Sequence, residues 1–198
     1  MKQIVSNCVL TTPFDVEKLT MIDLEYIMLC LRSKSVSNIV ELTYKCKNYI
    51  PEKEAVCDNE VKCAVNLDEV KVDSVFPENK IDLYEDDELG TVGVIMKYPT
   101  VGTLKKHPIS ELTAAKGSYK LIASCISAIY DSQKVYDTTK ESPAELNSFM
   151  MALTVEQFGK ITQWFDNLPQ ITHEFTFKCD KCGFKHDMTL KGLYSFFV

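Results

Sequence analysis

The chain has 198 residues, 45% hydrophobic and 25% charged, close to average globular usage and sufficient to build a core. Its formal charge of -6 removes the usual electrostatic reason to expect a nucleic-acid partner. No apolar run reaches the roughly 18 residues a membrane span needs, and residues 1–10 lack the apolar core of a signal peptide.

In chain order, residues 1–10 read as a short strand ended by Thr11-Thr12-Pro13. Thr20-Met21-Ile22-Asp23 is a capping-box pattern opening a helix that runs to about Arg32. Ile22, Tyr26, Ile27, Leu29, Cys30 and Leu31 spread over so broad a face that this helix is expected to be buried. From Asn38 the period becomes two: Ile39, Glu41, Thr43 and Lys45 alternate with Val40, Leu42, Tyr44 and Cys46, a strand ending at a thiol. A charged stretch with Pro51 leads to Cys57-Asp58-Asn59, and a return strand places Val61, Cys63, Val65 and Leu67 on one face.

Residues 81–84 and 91–98 read as strands on either side of a solvated acidic loop, Glu85-Asp86-Asp87-Glu88. Helical sequence is expected over 108–130, with Leu112, Leu121, Ile122, Cys125, Ile126 and Ile129 apolar and a break at Gly117. Ser142-Pro143-Ala144-Glu145 and Thr154-Val155-Glu156-Gln157 are two capping boxes. They open helices whose Phe149, Met150, Phe158, Ile161, Trp164 and Phe165 read as core. In the last segment His173, Phe175, Phe177 and Cys179 share a strand face, Cys182-Gly183 makes a tight turn, and Phe184, His186, Met188 and Leu190 share the return face.

The eight cysteines lie at 8, 30, 46, 57, 63, 125, 179 and 182. Without a secretory signal they are expected in a reducing compartment, as free thiols or metal ligands. The two cysteine-bearing hairpins are versions of one another. Tyr44-Lys45-Cys46 answers Phe177-Lys178-Cys179, and Cys57-Asp58 answers Cys182-Gly183, with ten residues at the first tip where the second has two. Two such knuckles facing each other are the parts of a zinc ribbon. Cys46, Cys57, Cys179 and Cys182 are therefore the candidate ligands of one structural Zn2+, whose closed thiolate shell leaves no position for substrate. Cys63 and His186 remain as alternative ligands, each with a competing reading as core. No GxSxG, P-loop, GxGxxG or HExxH is present, so no enzyme is expected. The expected fold class is α+β, a helical body with a zinc-ribbon-like pair of hairpins. A single domain over 1–198 is expected, its ribbon part from 39–72 and 171–192 and its helical part from 14–33 and 105–170.

Several stretches carry a wider resemblance: Thr12-Pro13-Phe14, Leu31-Arg32-Ser33-Lys34-Ser35-Val36, Glu41-Leu42-Thr43-Tyr44-Lys45-Cys46 and Asn66-Leu67-Asp68-Glu69-Val70. They continue through Lys97-Tyr98-Pro99-Thr100 and Cys125-Ile126-Ser127-Ala128-Ile129-Tyr130-Asp131 to Phe177-Lys178-Cys179-Asp180-Lys181-Cys182-Gly183 and Leu190-Lys191-Gly192-Leu193. Spread in order from end to end, they make the chain similar to the baseplate hub proteins of T-even-type contractile-tailed bacteriophages. The resemblance implies a non-enzymatic subunit that builds the central hub and binds other hub proteins or the tape-measure protein. Its place would be the host cytoplasm during assembly, and the resemblance leaves open whether it is retained in the tail baseplate of the virion or serves only in assembly. Self-association is a further open expectation, and no membrane or nucleic-acid partner is expected from the apolar runs and net charge. The family's first cysteine knuckle is compact, whereas Cys46 and Cys57 are well separated here. Two other readings stay open: a tail assembly chaperone for the tape-measure protein, and a zinc-ribbon nucleic-acid binder using Lys45, Lys47, Lys178, Lys181 and Lys185.

Overall fold

Where buried and exposed residues alternate, as over Ile39–Lys45, the chain forms strands, and after the Ser142/Glu145 and Thr154/Gln157 pairs it forms helices. The computed structural model describes residues 1–72, 75–107 and 115–197. The chain is α+β. It divides into two compact units, one from residues 1–7, 22–74 and 169–198 and one from residues 8–21 and 75–168.

In the first unit, β1 (Ile39–Lys45) pairs antiparallel with β4 (Glu60–Asn66), with Leu42 opposite Cys63. Between them lie two short strands, β2 (Tyr49–Ile50) and β3 (Ala55–Val56), paired with each other. A second sheet has β10 (Ile171–Lys178) between β11 (Lys185–Lys191) and β5 (Lys71–Val72). Alternation sends Val40, Leu42 and Val65 inward, where they meet Leu67, Ile171, Leu190 and Phe196. Tyr44 joins the two sheets, its ring 5.8 Å from Phe175 and 5.7 Å from Phe177. Helix α2 (Met21–Ser35) packs Leu29 into this core. Its buried stripe, Leu24, Leu29 and Ser33, is narrower than the composition suggests: Tyr26 is exposed and Cys30 half-buried.

The expectation of a strand at the start is overturned, because Lys2–Cys8 forms helix α1. A helix closes its own backbone bonds, as Val5 N–H does to the Met1 carbonyl at 3.1 Å, and here it buries only Val5.

The second unit is built on a four-stranded antiparallel sheet in the order β6 (Lys80–Asp86), β7 (Gly90–Met96), β8 (Ile126–Tyr130), β9 (Val135–Asp137). Its helices are α3 (Val101–Lys106), α4 (Ala115–Ser124), α5 (Pro143–Ala152) and α6 (Val155–Asp166). Leu83, Val94, Met96, Ile122, Ile126, Met150, Ile161 and Trp164 form its core. Both capping boxes are closed: Ser142 accepts from Glu145 N–H and Thr154 from Gln157 N–H, each with the reciprocal bond back. Gly93 is required by a close approach, since a Cβ there would strike the Tyr130 hydroxyl and the Ile81 carbonyl. That hydroxyl donates to Asp82. The acidic loop is a tight turn in which the Asp86 carboxylate accepts from the Glu88 and Leu89 N–H groups, both at 2.9 Å.

The helix expected over 108–130 is corrected at its C-terminal end. Residues 108–114 lie outside the described residues; α4 stops at Ser124, and 126–130 is a strand. Its buried Ile126, Ala128 and Tyr130 alternate with half-buried Ser127 and Ile129, and it pairs with β7 on one side and β9 on the other. Strand β9, which the sequence reading omits, returns through a turn where the Asp131 carboxylate accepts from the Gln133 and Lys134 N–H groups at 2.7 Å.

Candidate metal centre

Each hairpin of the first unit carries a cysteine just beyond the end of its outgoing strand, and the same backbone turn follows both. Cys46 N–H donates to the Asn59 carbonyl at 2.8 Å, and Asp58 N–H donates to the Cys46 carbonyl at 2.9 Å. In the other hairpin Cys179 N–H donates to the Phe184 carbonyl at 2.9 Å, and Gly183 N–H donates to the Cys179 carbonyl at 2.8 Å. Asp58 and Gly183 both have positive φ, 50° and 74°. This is a conformation glycine adopts freely and aspartate tolerates better than most residues. The correspondence of Cys57-Asp58 with Cys182-Gly183 therefore extends to the backbone.

The ten residues between Cys46 and Cys57 are themselves folded. Strands β2 and β3 pair Tyr49 with Val56 and Ile50 with Ala55 around a turn at Pro51–Lys53. Cys57 N–H then donates to the Asn48 carbonyl at 2.8 Å, bringing Cys57 back beside Cys46. The wide spacing thus hides a knuckle with a small hairpin grafted on its tip.

The four sulfurs of Cys46, Cys57, Cys179 and Cys182 lie within 4.8 Å of one another. Cys46 and Cys182 are 3.5 Å apart, and Cys57 and Cys179 3.8 Å. Four sulfurs at about 2.3 Å from a tetrahedral ion would be roughly 3.8 Å apart, whereas a disulfide needs about 2.0 Å. Cys46, Cys57 and Cys179 are buried, Cys182 is half-buried, and Ile50 and Val61 pack around them. The donor set, spacing and burial fit a soft divalent ion, and the cluster can hold one.

The thiols compete for charge. Burial pushes Cys46 up to about 12 and raises Cys57 as well. The Cys182 backbone N–H, despite opposing burial and aided by that of Lys181, brings Cys179 down to about 6. Backbone N–H groups of Asn48 and Asn59 point at the sulfurs of Cys46 and Cys57 and partly oppose the burial.

The remaining cysteines stand apart from this cluster. Cys63 is buried on β4 opposite Leu42, its thiol raised by burial. Cys125 lies in the core of the second unit, pushed up to about 12 by burial, while Cys8 is exposed and Cys30 half-buried. His186 is not one of the four mutually close groups, but its Nε2 lies 3.1 Å from Cys46 Sγ.

Sequence reasoning missed Asn48 and Asn59. The Asn48 amide donates to Cys182 Sγ and the Asn59 amide to Cys179 Sγ, both at 3.7 Å, and Asn59 also donates to Asp180 at 2.6 Å. The signal that could have found them is Cys-x-Asn occurring twice, at Cys46-Lys47-Asn48 and Cys57-Asp58-Asn59.

In the second unit His107 Nε2 lies 2.7 Å from Ser124 Oγ, which matches a nucleophile–base pair in composition alone. The Lys120 carbonyl, also 2.7 Å from the Ser124 hydroxyl, competes with His107 for its single proton. Among the described residues, no helix is long and apolar enough to cross a membrane.

Compared with known families, the chain matches over residues 1–198 the family described as T4 bacteriophage base plate protein. No curated protein and no solved structure matches it.

Proposed function

Because the chain belongs to the T4 bacteriophage base plate protein family, we propose that it is a structural or assembly subunit of the baseplate hub, stabilised by one zinc ion. Cys46, Cys57, Cys179 and Cys182 are its ligands. The family match over the full chain supports the baseplate role. The single observation that carries the metal is the set of four sulfurs within 4.8 Å of one another, drawn from two hairpins with the same backbone turn. Four protein sulfurs fill a tetrahedral shell, so the ion would hold segments together and would offer no site to a substrate. The protein acts by binding other hub proteins or the tape-measure protein, in the host cell during assembly and in the tail.

The test is metal analysis of protein purified without chelator, beside a Cys179→Ser/Cys182→Ser double variant, with co-purification of hub and tape-measure proteins. One zinc per chain in the wild type, none in the variant, and a stoichiometric complex with hub proteins are the expected results. A metal-free wild type rejects the zinc. Failure to bind any hub or tape-measure protein rejects the assembly role.

A further inference from the structure

Three side-chain nitrogens converge on the sulfurs, and each crosses from one hairpin to the other. Asn48 and Asn59, from the first hairpin, direct their amides at Cys182 and Cys179. His186, from the second, places Nε2 3.1 Å from Cys46 Sγ. Its ring is held in that direction by stacking on Phe177, 4.7 Å between centroids and 17° between planes, and by the edge of Phe184 at 4.8 Å. With the ion bound Cys46 is a thiolate, and an Nε2–H of His186 at this distance would donate to it, since two facing lone pairs would repel.

A dication with four thiolates carries a net charge of about -2. Cys46 and Cys179 are both fully shielded from solvent, so water cannot spread that charge. Donated N–H groups are the remaining means, and N–H bonds to an anionic acceptor are among the stronger hydrogen bonds in proteins. Withdrawing charge from the sulfurs also makes them poorer nucleophiles.

We propose that His186, Asn48 and Asn59 are positioning residues of the metal centre, whose N–H groups bond the thiolates of the opposite hairpin, slow release of the ion and protect the sulfurs from attack. The proposal rests on the metal reading of the four cysteines. It distinguishes a centre built to stay closed from one built to exchange its ion.

The test uses the full chain loaded with zinc or cobalt, as wild type, His186→Phe, His186→Gln and Asn48→Ala. Phe keeps the aromatic stack and removes the donor; Gln restores a donor. The readouts are metal per chain, transfer of metal to a chromogenic chelator, alkylation of the sulfurs by iodoacetamide, and the sulfur-to-cobalt charge-transfer band. The expected result is one ion per chain throughout, with release and alkylation about tenfold faster in His186→Phe, the order typical of lost outer-shell partners. The band should move to lower energy, and His186→Gln should recover most of each change. Unchanged rates and band in a metal-loaded His186→Phe overturn the proposal and leave the centre standing. A wild type without metal overturns both. Should His186→Phe fail to fold, Asn48→Ala carries the same readouts at Cys182.

Discussion

At the cluster, burial holds the Cys46 and Cys57 thiols in their protonated form, while backbone N–H groups favour the thiolate of Cys179. An ion must displace the protons of Cys46 and Cys57, so each ion bound releases at least those two. Apparent zinc affinity should then fall at least roughly 100-fold per pH unit as pH drops from about 8 to about 6, and more steeply below, where Cys179 also takes a proton. Competition with a chromogenic chelator across that range measures the slope. A flat profile would mean that thiolates do not hold the ion. Without metal the sign reverses. The folded state binds the Cys46 proton more tightly than the unfolded chain does. That contribution is complete below the ordinary thiol value of about 8.5 and disappears as pH rises toward 12.

At the level of elements, legibility tracked how local the deciding interaction was. The capping boxes at Ser142 and Thr154 are closed within three residues, so sequence alone placed the starts of the helices that run over Pro143–Ala152 and Val155–Asp166. Ser142→Ala should cost about 1 kcal/mol of stability, read from the urea midpoint, with metal content unchanged. A variant as stable as wild type would show that helix α5 does not depend on its cap. Strands Ile39–Lys45 and Ile171–Lys178 were legible because one buried face imposes period two. Ile126–Tyr130 was misread because Ile126 and Ile129 also satisfy helical spacing; pairing with Gly90–Met96 on one side and Val135–Asp137 on the other decided the matter. The candidate site was legible in its four sulfurs, since hairpin symmetry matched Cys46 and Cys57 to Cys179 and Cys182. Its side-chain donors were not. Asn48 and Asn59 acquire their role only once a hairpin more than 100 residues away lies against them.

For the molecule as a whole, the order of segments gives the proposed ion its importance. The first unit is assembled from residues 1–7, 22–74 and 169–198, and residues 75–168, most of the second unit, lie between its last two segments in sequence. Cys57 and Cys179 are 122 positions apart, so an ion joining them closes a long loop, the case in which a cross-link removes most entropy from the unfolded chain. Each unit has its own apolar core, one around Leu29, Val65 and Phe196 and one around Met96, Ile161 and Trp164. Removing the ion by chelation should therefore act unevenly. Amides of Ile39–Lys45, Glu60–Asn66 and Lys185–Lys191 should lose protection from hydrogen exchange, while those of Lys80–Asp86, Gly90–Met96 and Ile126–Tyr130 should keep it. Equal loss in both sets would show one cooperative unit. Protection unchanged in both would show that the first unit holds together through its apolar core alone, and that the ion is not structural.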